Sequence, residues 1–219
     1  GNLYDFDRAR DAVPPEKLDA LDKWAIFKTA RFLEETEKAY DAYEFHKVYK
    51  LLDNFCGVTL SRVYHDILKD RLYTYAANSP ERRSSQTAID IISDALIKAA
   101  APILTFTADE AFSFKNGAEF SENSVHLQDW PKIGAEYLDA DVCAGVDKIL
   151  ALRENANEEL EKLRQSKEIG KSLEAEIEIE VGAGSPEAEA LRKYSANLPE
   201  IFIVCLLYTS PSPRDVEES

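Results

Sequence analysis

The sequence predicts a mainly α protein, an antiparallel helical bundle over residues 14–130 followed by a small α+β domain over 131–204. Three observations carry this. Apolar residues recur at spacings of three, four and seven through most of the first 115 positions, as the buried stripe of an amphipathic helix requires. Proline and serine stand where helices begin. The hydrophobic period changes from 3.6 to 2 only at Leu173, Ala175, Ile177, Ile179 and Val181.

Residues 1–13 are mixed and acidic, and Pro14-Pro15-Glu16 opens the first long helix, because proline at a first turn has no N–H to waste. Its inward face holds Leu18, Leu21, Ala25, Phe32, Thr36, Tyr40 and Tyr43. A second helix follows with Phe45, Val48, Leu52 and Phe55 inward, then Leu60, Val63, Ile67 and Leu68. Gly57 costs about 1 kcal/mol in a helix interior, so a kink or break is expected there. Tyr73 to Asn78 reads as a loop. Ser79-Pro80-Glu81 starts a third helix: serine caps it, proline takes the first turn and glutamate faces the positive end of the dipole. Pro102 ends that helix near Ala100, and Thr107-Ala108-Asp109-Glu110 has the form of a capping box for a fourth, short helix.

The pattern dissolves between Lys115 and Lys132, where Ser124 to Leu127 is a short extended candidate, and the domain boundary is placed here. Val142, Val146, Ile149, Ala156, Leu160 and Leu163 then mark a helix of about 25 residues with one apolar stripe. The period-2 segment carries Glu174, Glu176, Glu178 and Glu180 on its other face, which is a half-exposed strand. A short helix over 187–194 and a second strand over 201–204 complete the unit. Residues 205–219 break off into proline-containing polar sequence and read as a non-native or disordered tail.

Composition narrows the function. Hydrophobic residues make up 45% of the 219, enough for a core, which excludes full disorder. The longest apolar run, Ile201 to Tyr208, falls well short of the roughly 20 residues a bilayer span needs. The three cysteines, Cys56, Cys143 and Cys205, form no CxxC pair, which points to a reducing, cytoplasmic setting. Methionine is absent even at position 1, so a piece of a longer protein is expected.

His46, His65 and His126 have no partner at metal-ligand spacing, and no metal site is expected. Asp66, Asp70 and Glu81 have no nucleophile or second base beside them in the pattern, so no catalysis is assigned to the chain. Gly182-x-Gly184 lacks the lysine and third glycine of a phosphate loop, and Glu187 and Glu189 would repel phosphate; it reads as a plain turn.

Charge is more informative. The formal total is -15, yet residues 46–83 hold seven basic side chains (Lys47, Lys50, Arg62, Lys69, Arg71, Arg82, Arg83) against four acidic ones, a surplus of three. Every other block is acidic. Tyr49, Tyr64, Tyr73 and Tyr75 lie among these cations, the combination with which proteins grip phosphates and stack unpaired bases. The plainer reading of the same window is a solvated helix face with tyrosines packed inward.

Several blocks of this chain resemble one family. Tyr43–Tyr49 (YEFHKVY), Asn54–Cys56 and Leu60–Tyr73 (LSRVYHDILKDRLY) resemble the anticodon-binding region of bacterial-type isoleucyl-tRNA synthetases. The likeness continues through Ser79–Arg83, Ala101–Glu110 (APILTFTADE), Ser124–Pro131 (SVHLQDWP) and Ile169–Ala175, with Gly1–Phe6 similar to the segment after that family's first bundle helix. Valyl- and leucyl-type enzymes share the bundle, but Lys69–Tyr73 and Val125–Trp130 are most similar to the isoleucyl branch.

The resemblance implies a bundle of the class Ia synthetase anticodon-binding type that holds the anticodon stem-loop of tRNA(Ile), then a junction domain. It assigns Lys50, Arg62, Lys69, Arg71, Arg82 and Arg83 to phosphates and Tyr64 or Tyr73 to a stacked base. Phe45, Phe55, Leu72 and Leu96 read as core.

The family's ATP-binding catalytic domain, editing domain and cysteine-rich zinc module have no counterpart here. No cofactor is therefore expected in this piece, while the parent enzyme would use ATP, Mg2+ and often zinc to charge tRNA(Ile) with isoleucine. The other partner implied is the parent's catalytic domain, and a monomer is expected. A helical protein-docking module without RNA binding is the rival reading, motivated by the acidic total.

Overall fold

Asp19 begins the architecture. Its extended backbone and its carboxylate, which accepts from the Leu21 N–H at 3.0 Å, cap helix α2 (Ala20–Asp41). The prolines ahead of it form only a 3-10 turn, Pro15–Lys17, so the helix starts later than the sequence suggests. These elements belong to a computed structural model that describes residues 2–117, 124–167, 176–182, 184–203 and 206–211, the last group and Glu176 by backbone alone. The chain is mainly α and divides into two compact units, 1–140 and 141–219.

In the first unit, α1 (Arg8–Asp11) is one turn, and α2 supplies the central apolar face: Leu21, Trp24, Ala25, Ile26, Phe32 and Leu33 are all buried. Each large side chain among them contributes about 1.5–3 kcal/mol by leaving water. Tyr43 lies beyond the helix, exposed and in the left-handed region (φ 55°), instead of on its inward face.

The chain then returns along α2. Helix α3 (Phe45–Asn54) passes without a break into a π-helical stretch, Phe55–His65, and a short α4 (Lys69–Tyr73) follows. Gly57 thus does not break the helix; the wider winding there puts Phe55 and Leu60, five residues apart, both into the core. Phe55 stacks on Phe32 with ring centroids 4.4 Å apart, and Tyr64 lies against Asp22 near the start of α2, so this arm and α2 run in opposite directions.

Ser79 caps α5 (Pro80–Ala100) by accepting from the Arg82 N–H. Asp22 bonds to Ser84 and Ser85 at one end, and the Tyr40 hydroxyl donates to the Ala99 carbonyl at 3.0 Å at the other, so α5 runs parallel to α2. Helix α6 (Thr105–Asn116) turns back along α5, with Lys115 Nζ 3.0 Å from Asp90 and Lys98 Nζ over the Phe112 ring. No side chain caps α6. Asp109, expected inside a capping box, instead accepts from Ser124 Oγ and the Val125 N–H, and Val125–Leu127 is a 3-10 turn instead of an extended segment.

The second unit has α7 (Ala140–Gln165), which buries Val142, Val146, Ile149 and Leu160 on one stripe. Strand β1 (Glu176–Val181) buries Ile177 and Ile179 and exposes Glu178 and Glu180, as its period demands. Leu173, Glu174 and Ala175 lie outside the described residues. Gly184, at φ 81°, makes the turn into α8 (Pro186–Lys193), where the Ser185 hydroxyl takes the Ala188 N–H that a phosphate would need.

Ile201 and Phe202, expected to begin a strand, end a short helix, α9 (Leu198–Phe202). Both are buried on its inward side. The second strand is β2 (Leu206–Pro211), in the segment read from the sequence as a tail; its backbone pairs parallel to β1 with Glu176 opposite Leu206.

Candidate nucleic-acid interface

The eight side chains singled out from the sequence divide sharply in their surroundings. Lys50 on α3, Arg62 on the π-helical stretch, and Lys69 and Tyr73 on α4 are exposed. Tyr64, Arg71, Arg82 and Arg83 are buried, and each is held by named partners.

The buried four form two polar clusters. At the first, Asp22 receives Tyr64 OH on Oδ1 at 2.6 Å and the hydroxyls of Ser84 and Ser85 on Oδ2. Arg71 Nη1 lies 3.5 Å from Asp22 Oδ2, and its Nη2 lies 3.1 Å from Asp19 Oδ1. Burial pushes the Asp22 carboxyl up to about 6, which Arg71 and the hydroxyl donors offset only in part. Burial and the neighbouring Asp22 hold the Tyr64 phenol well above its ordinary range. With no exposed ring face, Tyr64 offers a base nothing to stack on, and its hydroxyl is already used.

The second cluster ties down the start of the chain. Arg82 donates to Asp5 Oδ2 at 2.9 Å and to the Tyr75 carbonyl at 3.1 Å. Arg83 donates to the Asp5 carbonyl, to Gln86 Oε1 and to Asn78 Oδ1. Gln86 in turn donates to Asp5 Oδ1 and the Asn2 carbonyl, and Tyr73 OH donates to Asn2 Oδ1 at 3.2 Å. Burial alone would raise the Asp5 pKa, but the Gln86 amide and the Arg82 and Arg83 charges outweigh it and hold it below the usual carboxylate value.

This division alters the charge seen by a ligand. Three of the seven cations in residues 46–83 are buried, leaving Lys47, Lys50, Arg62 and Lys69 against four acidic side chains. Lys47 pairs with Glu44 at 2.6 Å and Lys69 with Asp66 at 2.7 Å. Beside them stand the exposed rings of Tyr49, Tyr73 and Tyr75.

Sequence reasoning missed Asp22 and Asp5, the acceptors that organise both clusters. A signal for Asp22 was present: it falls in the stripe Asp22, Ile26, Thr29, Leu33, Thr36, where an unpaired carboxylate is too costly and a buried cation must answer it. Nothing in the spacing marks Asp5. Phe45, assigned to the core, is half exposed at the corner between α2 and α3, whereas Phe55 and Leu72 are buried as expected.

Two buried polar clusters thus fix the arm that carries Lys50, Arg62, Lys69 and Tyr73 against α2 and α5. The chain belongs to the anticodon-binding domain family of tRNA ligases, whose family model matches residues 22–179. It is 40% identical over its whole length to the isoleucine–tRNA ligase of Thermoanaerobacter sp. (strain X514), of which it covers 24%. It is also 42% identical over 93% of its length to that of Symbiobacterium thermophilum, covering 22%, and 39% identical over 99% of its length to that of Thermotoga maritima, covering 24%. The chain thus spans about a quarter of the length of these relatives.

Proposed function

We propose that this chain is the tRNA-recognition part of an isoleucine–tRNA ligase, taking the anticodon stem-loop of tRNA(Ile) while the remainder of a longer cytoplasmic, monomeric enzyme activates isoleucine with ATP and transfers it. The family match across 22–179 carries the reading. The exposure of Lys50, Arg62, Lys69 and Tyr73 and the burial of Tyr64, Arg71, Arg82 and Arg83 support a division of labour in which the first three meet phosphates, Tyr73 stacks on a base and the buried four hold the frame. Phosphate contacts supply position and affinity, and base contacts the selectivity.

A salt titration of binding to the tRNA(Ile) anticodon stem-loop, beside a scrambled-anticodon loop, tests this. Each phosphate contact adds about 0.7–0.9 to the slope of log affinity against log salt. With four exposed cations in residues 46–83, contacts through this window should give a slope of no more than about 3–4. Lys50→Glu and Arg62→Glu should each lower the slope by about one and leave the urea midpoint unchanged. Absence of binding at low salt, or equal binding by both variants and the wild type, would overturn the assignment.

A further inference from the structure

The exposed tyrosines of the arm, Tyr49, Tyr73 and Tyr75, differ at their hydroxyls. Among the described residues only Tyr73 of these three has a hydrogen-bond partner there, Asn2 Oδ1 at 3.2 Å. Tyr73 is nonetheless 73% exposed, so the bond holds the tip of the phenol and leaves most of the ring open to a ligand. A surface tyrosine otherwise samples several rotamers, and a ligand that needs one of them bears the cost of fixing it. Here the ring is fixed before a ligand arrives.

Asn2 can do this because it is itself held. Its carbonyl accepts from Gln86 Nε2 at 3.0 Å, and the same amide nitrogen donates to Asp5 Oδ1 at 2.7 Å. Gln86 lies on α5 with no exposed surface. Arg82, from the same helix, reaches both Asp5 Oδ2 and the carbonyl of Tyr75, two residues beyond Tyr73. Asn2 and Tyr73, 71 positions apart, are therefore set by one helix. The bond between them adds little to the fold: both groups are neutral and solvent-accessible, so water replaces either partner at small cost. Gln86 and Arg82 tie the segment to α5 without it. With its hydrogen committed to Asn2, the Tyr73 hydroxyl has only lone pairs to offer, so the ring carries any contact it makes.

We propose that Asn2 is a positioning residue of the RNA interface, presenting the Tyr73 ring preformed for stacking on an unpaired base. The proposal rests on the reading of α4 as part of that interface.

A double-mutant cycle on binding to the tRNA(Ile) anticodon stem-loop tests it. Asn2→Ala keeps the carbonyl that Gln86 holds and removes the acceptor of the phenol; Tyr73→Phe keeps the ring and removes the donor. Each should weaken binding by about two- to tenfold, the cost of fixing one free side chain, and the double variant should bind no more weakly than either single one. The salt slope and the urea midpoint should keep their wild-type values, because the phosphate contacts and the buried clusters are untouched. Losses that multiply in the double variant overturn the proposal, since Asn2 would then act other than through the phenol; so does an unchanged affinity in Asn2→Ala. Tyr73→Ala distinguishes the two levels. If it weakens binding while Asn2→Ala does not, positioning alone fails; if it changes nothing, stacking at Tyr73 fails and positioning with it. Absence of stem-loop binding by the wild type overturns the anticodon reading and this proposal together. NMR relaxation of the Tyr73 ring carbons in the free chain needs no RNA: the ring should be more ordered than those of Tyr49 and Tyr75 and should fall to their level in Asn2→Ala. Equal order in wild type and variant overturns the positioning role whatever the stem-loop does.

Discussion

Arg71 and Lys69 are two residues apart and look interchangeable in the sequence, yet one has 2% of its side chain exposed and the other 66%. Removing one member of a buried ion pair strands the other and costs about 3–5 kcal/mol, whereas surface changes stay within about 0.5. Arg71→Met should therefore lower the urea-derived stability by about 3–5 kcal/mol and Lys69→Met by no more than about 0.5, and equal losses would discard the distinction drawn between them. The same cluster sets a pH dependence. An unfolded aspartate ionises near pH 3.9, whereas Asp22 in the fold is pushed up to about 6. The unfolded state gives up its proton first, so the contribution of Asp22 to stability is complete below about pH 4 and is lost as pH rises through about 6. Asp22→Asn cannot ionise, and its unfolding free energy relative to wild type should rise between pH 4 and 7. A constant difference over that range would refute the assignment. Burial is what the sequence hid here: charge is legible from a residue's identity, but the third dimension decides which charges meet solvent.

At the level of elements, α5, α7 and the half-buried β1 are readable from capping residues, proline positions and hydrophobic period. The π-helical stretch is not, because a spacing of five between Phe55 and Leu60 belongs to neither the helical nor the strand template. The helix α9 was hidden for another reason: Leu198 to Phe202 is too short for periodicity to choose between helix and strand. Gly57 offers a direct probe. A methyl group added there would meet nothing within 4 Å, so Gly57→Ala should not strain the wider turn. It should instead stabilise the chain by roughly 0.5–1 kcal/mol by restricting the unfolded state. Chemical denaturation would detect it, and a loss of stability would mean that the stretch depends on glycine for its winding.

For the whole molecule, the net charge of -15 and the emptied basic window set limits on RNA binding. Long-range attraction is weak, so association should depend on short-range contacts and lie well below the steered limit. Stopped-flow association with the anticodon stem-loop should therefore rise little as salt is lowered, while dissociation accelerates with added salt; a steep salt dependence of the on-rate would contradict this. The family was legible in the sequence because its blocks persist in order along the chain. Which of their cations face outward was not, since Arg71, Arg82 and Arg83 sit in the same blocks as Lys69 and serve the interior.

The cluster around Asp22 also has a history during synthesis. Asp22 and Ser85 are 63 residues apart, and Arg71 and Tyr64 likewise lie far downstream of α2. At about 5–20 residues per second, roughly 3–13 seconds pass between the ribosome's addition of Asp22 and of Ser85. Within that interval Phe55, Tyr64 and Arg71 are added ahead of α5, so the stacking partner of Phe32 and two partners of Asp22 precede the hydroxyls of Ser84 and Ser85. The polar set around Asp22 is complete only once α5 has been added, because that helix supplies its last two donors.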